Sequence, residues 1–151
     1  MANQKSQHAL GLKPITSLMS ALAMGLLYEH VTTGNLAVGE VINMGPIEAG
    51  VKPVDVTLIT DDLDTNGAPT LTLTVGILNA AGTDIDAAAT SAWIVASNAA
   101  QAGGIARATL PNVYLAGVSN VTRNLGIKAV AGPATPIVAG KKIAVVLTAT
   151  G

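Results

Sequence analysis

The sequence predicts an all-β fold, a β-sandwich or barrel that follows an N-terminal arm. Three observations predict it. Short strand-like runs recur every ~8–12 residues, and Gly, Pro and Asn turn signals separate them. No alternation of strand and helix marks a βαβ fold. No internal repeat of fixed period points to a solenoid or propeller.

Each element can be justified in order. Residues 1–14 are polar, carry Gly11 and Pro14, and read as a flexible or extended arm. In residues 16–27, Leu18, Leu22 and Leu26 recur at four-residue spacing, with Thr16 or Ser17 as a helix cap. That segment is either a short helix or an extended stretch lying along a partner, so residues 1–27 form the arm and residues 28–151 the sandwich. Val31–Thr33 is β-branched and runs into the turn signal Gly34-Asn35. Val38–Met44 is a strand expected to end at Gly45-Pro46. Pro53–Thr60 alternates, with Val54, Val56 and Leu58 on one face and Asp55, Thr57 and Ile59 on the other. Thr70–Leu78 alternates again. The loop between these two runs, Asp61–Pro69, holds an Asn66-Gly67 turn, so the two runs are expected to pair as a hairpin. Residues 87–98 read equally as a helical turn or as a strand from Trp93. Ile105–Leu110 is a weak strand ended by Pro111-Asn112. Arg123–Val130 is strand-like, 131–136 is a rigid turn, and Lys142–Thr150 closes the chain with Ile143, Val145 and Leu147 alternating.

Composition narrows the function classes. Half of the residues are hydrophobic but only 11% are charged, against about 25% in an ordinary soluble domain. Phe is absent, and one Trp and two Tyr are the whole aromatic content. The core must therefore be built from small aliphatic side chains, and a surface with so few charges is suited to meeting protein. Net charge is −1, with Lys and Arg scattered, which gives nucleic-acid phosphates little to bind. Cysteine is absent, which removes disulfides, thiolate metal sites and Cys nucleophiles. The apolar run Ile15–Leu27 is too short and too rich in Ser and Thr to span a bilayer, and no small-residue cleavage site follows it, since Tyr28-Glu29-His30 comes next.

The search for chemistry returns little. The bases available near neutral pH are His8, in the arm, and His30, beside Glu29. No G-x-S-x-G elbow, phosphate loop or dinucleotide fingerprint is present. These absences argue against an enzyme, and no catalytic, cofactor or metal residue is assigned. Asp61, Asp62 and Asp64 form the sharpest local cluster. Their D-D-x-D-x-N-G spacing is similar to a calcium loop, but the Glu needed about six residues after the Gly is missing. Asp84 and Asp86 are possible further ligands. The favoured reading is a hairpin loop whose Asp and Asn side chains bond their own backbone. Trp93 reads as a ligand platform or, by preference, as a core or interface anchor, and Tyr28 and Tyr114 have the same readings.

The stretch Gly39–Ile77 resembles the capsid decoration, or head cement, proteins of tailed bacteriophages. The residues that carry the likeness are Val41-Ile42-Asn43-Met44-Gly45, the Pro46–Gly50 link, Val54–Leu58, the acidic loop Asp61–Pro69, and Thr70–Gly76. The turn at 131–136 and the last aliphatic strand fit the same pattern. The resemblance implies a jelly-roll-like β-sandwich on the outer surface of the virion. It further implies a homo-oligomer, with a trimer favoured, whose partner is the major capsid protein and which binds neither nucleic acid nor membrane. Other readings are a minor head, head-fibre or tail component, and a ligand-binding β-sandwich module, for which the three aromatic rings offer few platforms.

Overall fold

Between Lys142 and Thr150 the chain alternates strictly, and Ile143, Val145, Leu147 and Ala149 are all fully buried. The strand therefore has one dry face and one outer face. The same logic organises the rest of the computed structural model, which describes residues 23–151. Its strands are β1 (Ala23–Val31), β2 (Val41–Ile47), β3 (Lys52–Thr60), β4 (Thr72–Ile77), β5 (Ala92–Ser97), β6 (Gly104–Arg107), β7 (Arg123–Ala131) and β8 (Lys142–Thr150). A 3-10 turn at Ala99–Gln101 and a single helical turn, α1 (Asn112–Leu115), are the helical pieces among the described residues.

The strands form two antiparallel sheets, a front sheet β1-β8-β3-β6 and a back sheet β2-β7-β4-β5. β1 pairs with β8, β2 with β7, β3 with β6 and β4 with β5. This is one long antiparallel ribbon, doubled back between β4 and β5 and then rolled so that successive pairs fall in alternate sheets. The β3–β8 and β4–β7 pairings complete each sheet. The result is a jelly-roll sandwich. Its interior is aliphatic apart from Trp93: Val56 and Leu58 from the front sheet meet Leu73, Val75, Leu125 and Ile127 from the back sheet, all fully buried. Trp93 is also fully buried, and its indole N–H donates to the Thr90 carbonyl at 3.0 Å.

The structure corrects several sequence expectations. The runs 53–60 and 70–78 do not pair as a hairpin, because β3 lies in the front sheet and β4 in the back sheet. The acidic loop between them arches across the end of the sandwich instead. β2 does not stop at Gly45-Pro46 but continues to Ile47. It passes Pro46 because it is an edge strand, where a missing N–H breaks no ladder, and a register shift between Asn43 and Gly45, with Gly45 at φ +138°, absorbs the irregularity. Val54 faces outward, unlike Val56, because β3 also shifts register between Pro53 and Asp55. Residues 92–97 resolve as strand, and residues 112–115 as a helical turn. The arm lies outside the described residues up to residue 22, and its last five positions, 23–27, are extended as the start of β1.

Candidate assembly surfaces

Residues opposite one another in register share a face. On the outside of the front sheet, one row runs Glu29, Ala144, Ile59, Ile105, and the next runs Leu27, Val146, Thr57, Arg107. Leu27 is 61% exposed, Ile59 39% and Ile105 70%, with half-buried Ala144 and Val146 between them. The rim is polar: Arg107 Nε donates to Asp55 Oδ2 at 2.7 Å, and Glu29 and Lys142 flank a shallow depression of about 280 Å³ that Leu27 and Ile59 help to line. Apolar side chains clustered on one exposed sheet face mark an interaction surface.

The outside of the back sheet is built differently. Gly76 and Gly126 stand opposite each other there. A Cβ at Gly126 would collide with the Leu78 side chain, and one at Gly76 with the Ser91 carbonyl. The two glycines make a flat window on which the chain's own 78–91 segment lies. That segment is secured by Lys128 Nζ to Asp84 Oδ1 at 2.7 Å, by Asp86 N–H to the Ile77 carbonyl at 2.9 Å, and by the Asp86 carboxylate, which accepts from Ala88 N–H. The Lys128 hydrogen bond holds the Asp84 carboxyl below its usual range.

The acidic loop is a structural staple. Asp64 is fully buried, and its carboxylate accepts backbone N–H bonds from Thr70 (2.7 Å), Leu71 (3.0 Å), Ala134 (3.0 Å) and Thr135 (3.2 Å). It thereby ties the β3–β4 crossing to the β7–β8 turn. Burial pushes its carboxyl pKa up, but the four backbone donors outweigh that and hold it at about 2. Asp61 Oδ2 accepts from Lys142 N–H at 2.7 Å. The two carboxylates therefore face amides, but not in the solvated hairpin turn expected: Asp64 is buried and reaches residues 134 and 135, and Asp61 reaches Lys142. No group of three metal-ligating side chains converges among the described residues.

The other residues singled out in the sequence fall in separate places. His30, on β1, lines a cleft of about 290 Å³ with Thr32, Thr33, Asn35 and Glu40, and among the described residues neither serine nor cysteine faces it. His8 lies outside the described residues. The Tyr28 hydroxyl donates to the Pro46 carbonyl at 2.9 Å, and burial, then Glu48, raises its pKa. The ring packs where a side chain at Gly45 would sit. Tyr114 is about half exposed and stacks under the Lys52 ammonium, 3.8 Å from its ring centre. Trp93 is a core anchor. Sequence reasoning missed Arg123, whose guanidinium donates to the Ala116 and Gly117 carbonyls at 3.1 and 2.9 Å and so closes the end of α1. Its place at the start of β7, eight residues beyond α1, gave no local signal of that role.

No protein-family model and no curated protein matches the chain. Solved structures do. One chain of the capsid of Ralstonia phage GP4 superposes with a TM-score of 0.72 at 35% identity, over 95% of this chain and 94% of that one. A chain of the capsid asymmetric unit of cyanophage Pam1 superposes with a TM-score of 0.70 at 25% identity, over 99% of both. The likeness spans the sandwich end to end, at an identity that fold alone does not produce, so the chain belongs to a family of bacteriophage capsid proteins and its role in the virion is structural.

Proposed function

We propose that the protein decorates the outside of an assembled phage capsid and stiffens it by bridging neighbouring copies of the major capsid protein. The observation that carries this reading is size. The capsid chains it resembles match it over nearly their whole length, so its counterparts in those particles are about as short as this chain. A single small jelly roll suits an added component better than the shell-forming subunit. Net charge of −1 without a basic patch suits the outer surface, away from packaged DNA. The aliphatic centre of the front sheet offers contact area that costs little charge desolvation, with the charged groups held at its rim. A closed homo-oligomer, a trimer in this reading, would present several such faces at once and bind by avidity, each contact modest. The arm, residues 1–27, adds a further contact.

The test is co-sedimentation of purified protein with preassembled shells that lack it, beside the same amount of unassembled capsid subunits. Saturable binding to shells, with little to loose subunits, and a raised temperature of shell disruption are expected. Equal binding to both, or none to shells, would overturn the decoration reading and leave the capsid role to another position in the particle.

A further inference from the structure

A sandwich has four sheet edges, and exposed edges invite unwanted strands unless they are blunted. Three edges of this protein are blunted. β2 carries Pro46 and a bulge. β5 has two register shifts, and Ala96 takes a left-handed φ of 47°. β6 is only four residues long. β1 is the exception: nine residues, no proline, and an unbroken register with β8 from Ala23 to Val31. Among the described residues its backbone pairs with β8 alone on the sheet.

The direction of the free groups follows from the next residue. Thr32 donates its N–H to Lys141 and accepts from Gly140, so its peptide groups face the β8 side. Alternation along an antiparallel strand then turns those of Val31, Glu29, Leu27, Gly25 and Ala23 outward.

We propose that β1 pairs antiparallel with β1 of a second copy across a two-fold axis at Leu27, joining two front sheets into one continuous sheet. The register is self-complementary, as an isologous contact requires. Leu27 meets the second copy's Leu27, Glu29 falls opposite Gly25, and Val31 falls opposite Ala23, so no like charges oppose one another. Gly25 has open space around its Cβ position, which leaves room for the facing Glu29. The five outward residues on each strand supply up to about ten backbone hydrogen bonds, and the aliphatic patches around Leu27, Val146 and Ile59 become contiguous. This inference extends the self-association part of the proposed function. A trimer held through other surfaces would keep β1 free to link trimers across two-folds.

The chain has no cysteine, so one introduced thiol can cross-link only to its own copy. In a hydrogen-bonded antiparallel pair the facing Cα atoms lie about 5.5 Å apart, within disulfide reach. Full-length Leu27→Cys is expected to form covalent dimers under mild oxidation. Val31→Cys is the control, since facing copies of residue 31 would stand about 27 Å apart. Leu27→Lys places two ammonium groups on the axis and is expected to weaken association at least tenfold in sedimentation equilibrium, whereas Thr57→Lys, mid-sheet on the same face, is not. A monomeric Leu27→Cys protein with an intact β spectrum, or equal cross-linking at residue 31, would overturn the proposal. So would cross-linking of Leu27→Cys only after removal of residues 1–22, which would mean that the chain's own arm covers the edge. No capsid enters these experiments, so their outcome is independent of whether the protein binds shells.

Discussion

The two outer faces of this sandwich solve the same problem in opposite ways. Each sheet has its inner face in a common aliphatic core, and each must do something with the other face. The back sheet covers the centre of its own: Gly76 and Gly126 leave a flat window, Leu78 and Ser91 lie on it, and Asp84 clamps Lys128. The front sheet leaves Leu27, Ile59 and Ile105 open to the surroundings. A chain with 11% charged residues has little polar surface, and the middle of its front sheet stays apolar and open, whereas the back sheet exposes apolar side chains away from its covered centre, at Val95 and Val130. The lesson is that a low-charge composition points to an assembly face only when the fold leaves that face uncovered by its own loops.

The largest expected effect tests the staple that holds both sheets in place. Asp64→Ala leaves four backbone N–H groups, one buried and three part-buried, without their acceptor and should cost about 3 kcal/mol, read from urea unfolding. The acid side of the stability profile has a definite sign. The folded pKa of Asp64, about 2, lies below that of an unfolded aspartate, so its contribution is complete above about pH 4 and is lost as pH falls toward 2. Asp64→Asn should flatten that part of the profile.

Next comes a matched pair of glycines, one on each outer face. Gly126→Val should cost about 2 kcal/mol because the buried Leu78 side chain must be displaced from the window. Gly25→Val on the front sheet should be neutral or stabilising by about 0.5 kcal/mol, since its Cβ position is empty and a β-branched residue suits a strand. Similar losses at both positions, in thermal melts, would erase the distinction between a covered and an open face. Smaller still, Lys128→Ala should cost under about 1 kcal/mol and lose its effect in high salt, as an exposed ion pair does. The smallest stability change belongs to Ile105→Ser, within about 0.5 kcal/mol of wild type. If the front face docks on the shell, that variant should nevertheless bind capsids measurably less.

Much of the fold was legible in the sequence because period-two alternation reports a half-buried strand directly. β8, β7 and most of β3 stand where the pattern put them, and the Gly39–Ile77 likeness led to the right class of particle. What failed was partnership. Pro53–Thr60 and Thr70–Leu78 looked like hairpin strands because both alternate and a turn signal separates them. Alternation says which face is dry but not which strand lies alongside, and the Asp64 carboxylate, collecting amides from residues 134 and 135, carries the loop across the sandwich. Ile59 already stood on the face of Asp55 and Thr57 in the pattern, but Ile105 could be placed on a strand without being identified as exposed, since an isoleucine that faces a partner and one that faces a core look the same in one sequence. The glycine window was visible only as two glycines inside strands, a signal of close approach without any indication of what approaches.

The most direct test of the contrast between the faces is hydrogen exchange on the free protein and on protein bound to preassembled shells. The account predicts added protection across β6 and the middle of the front sheet, with β1 already protected in the free protein by its pairing with a second copy and the 78–91 segment unchanged. Protection confined to the 78–91 segment, with β6 exchanging as before, would contradict it and place the assembly surface on the back sheet.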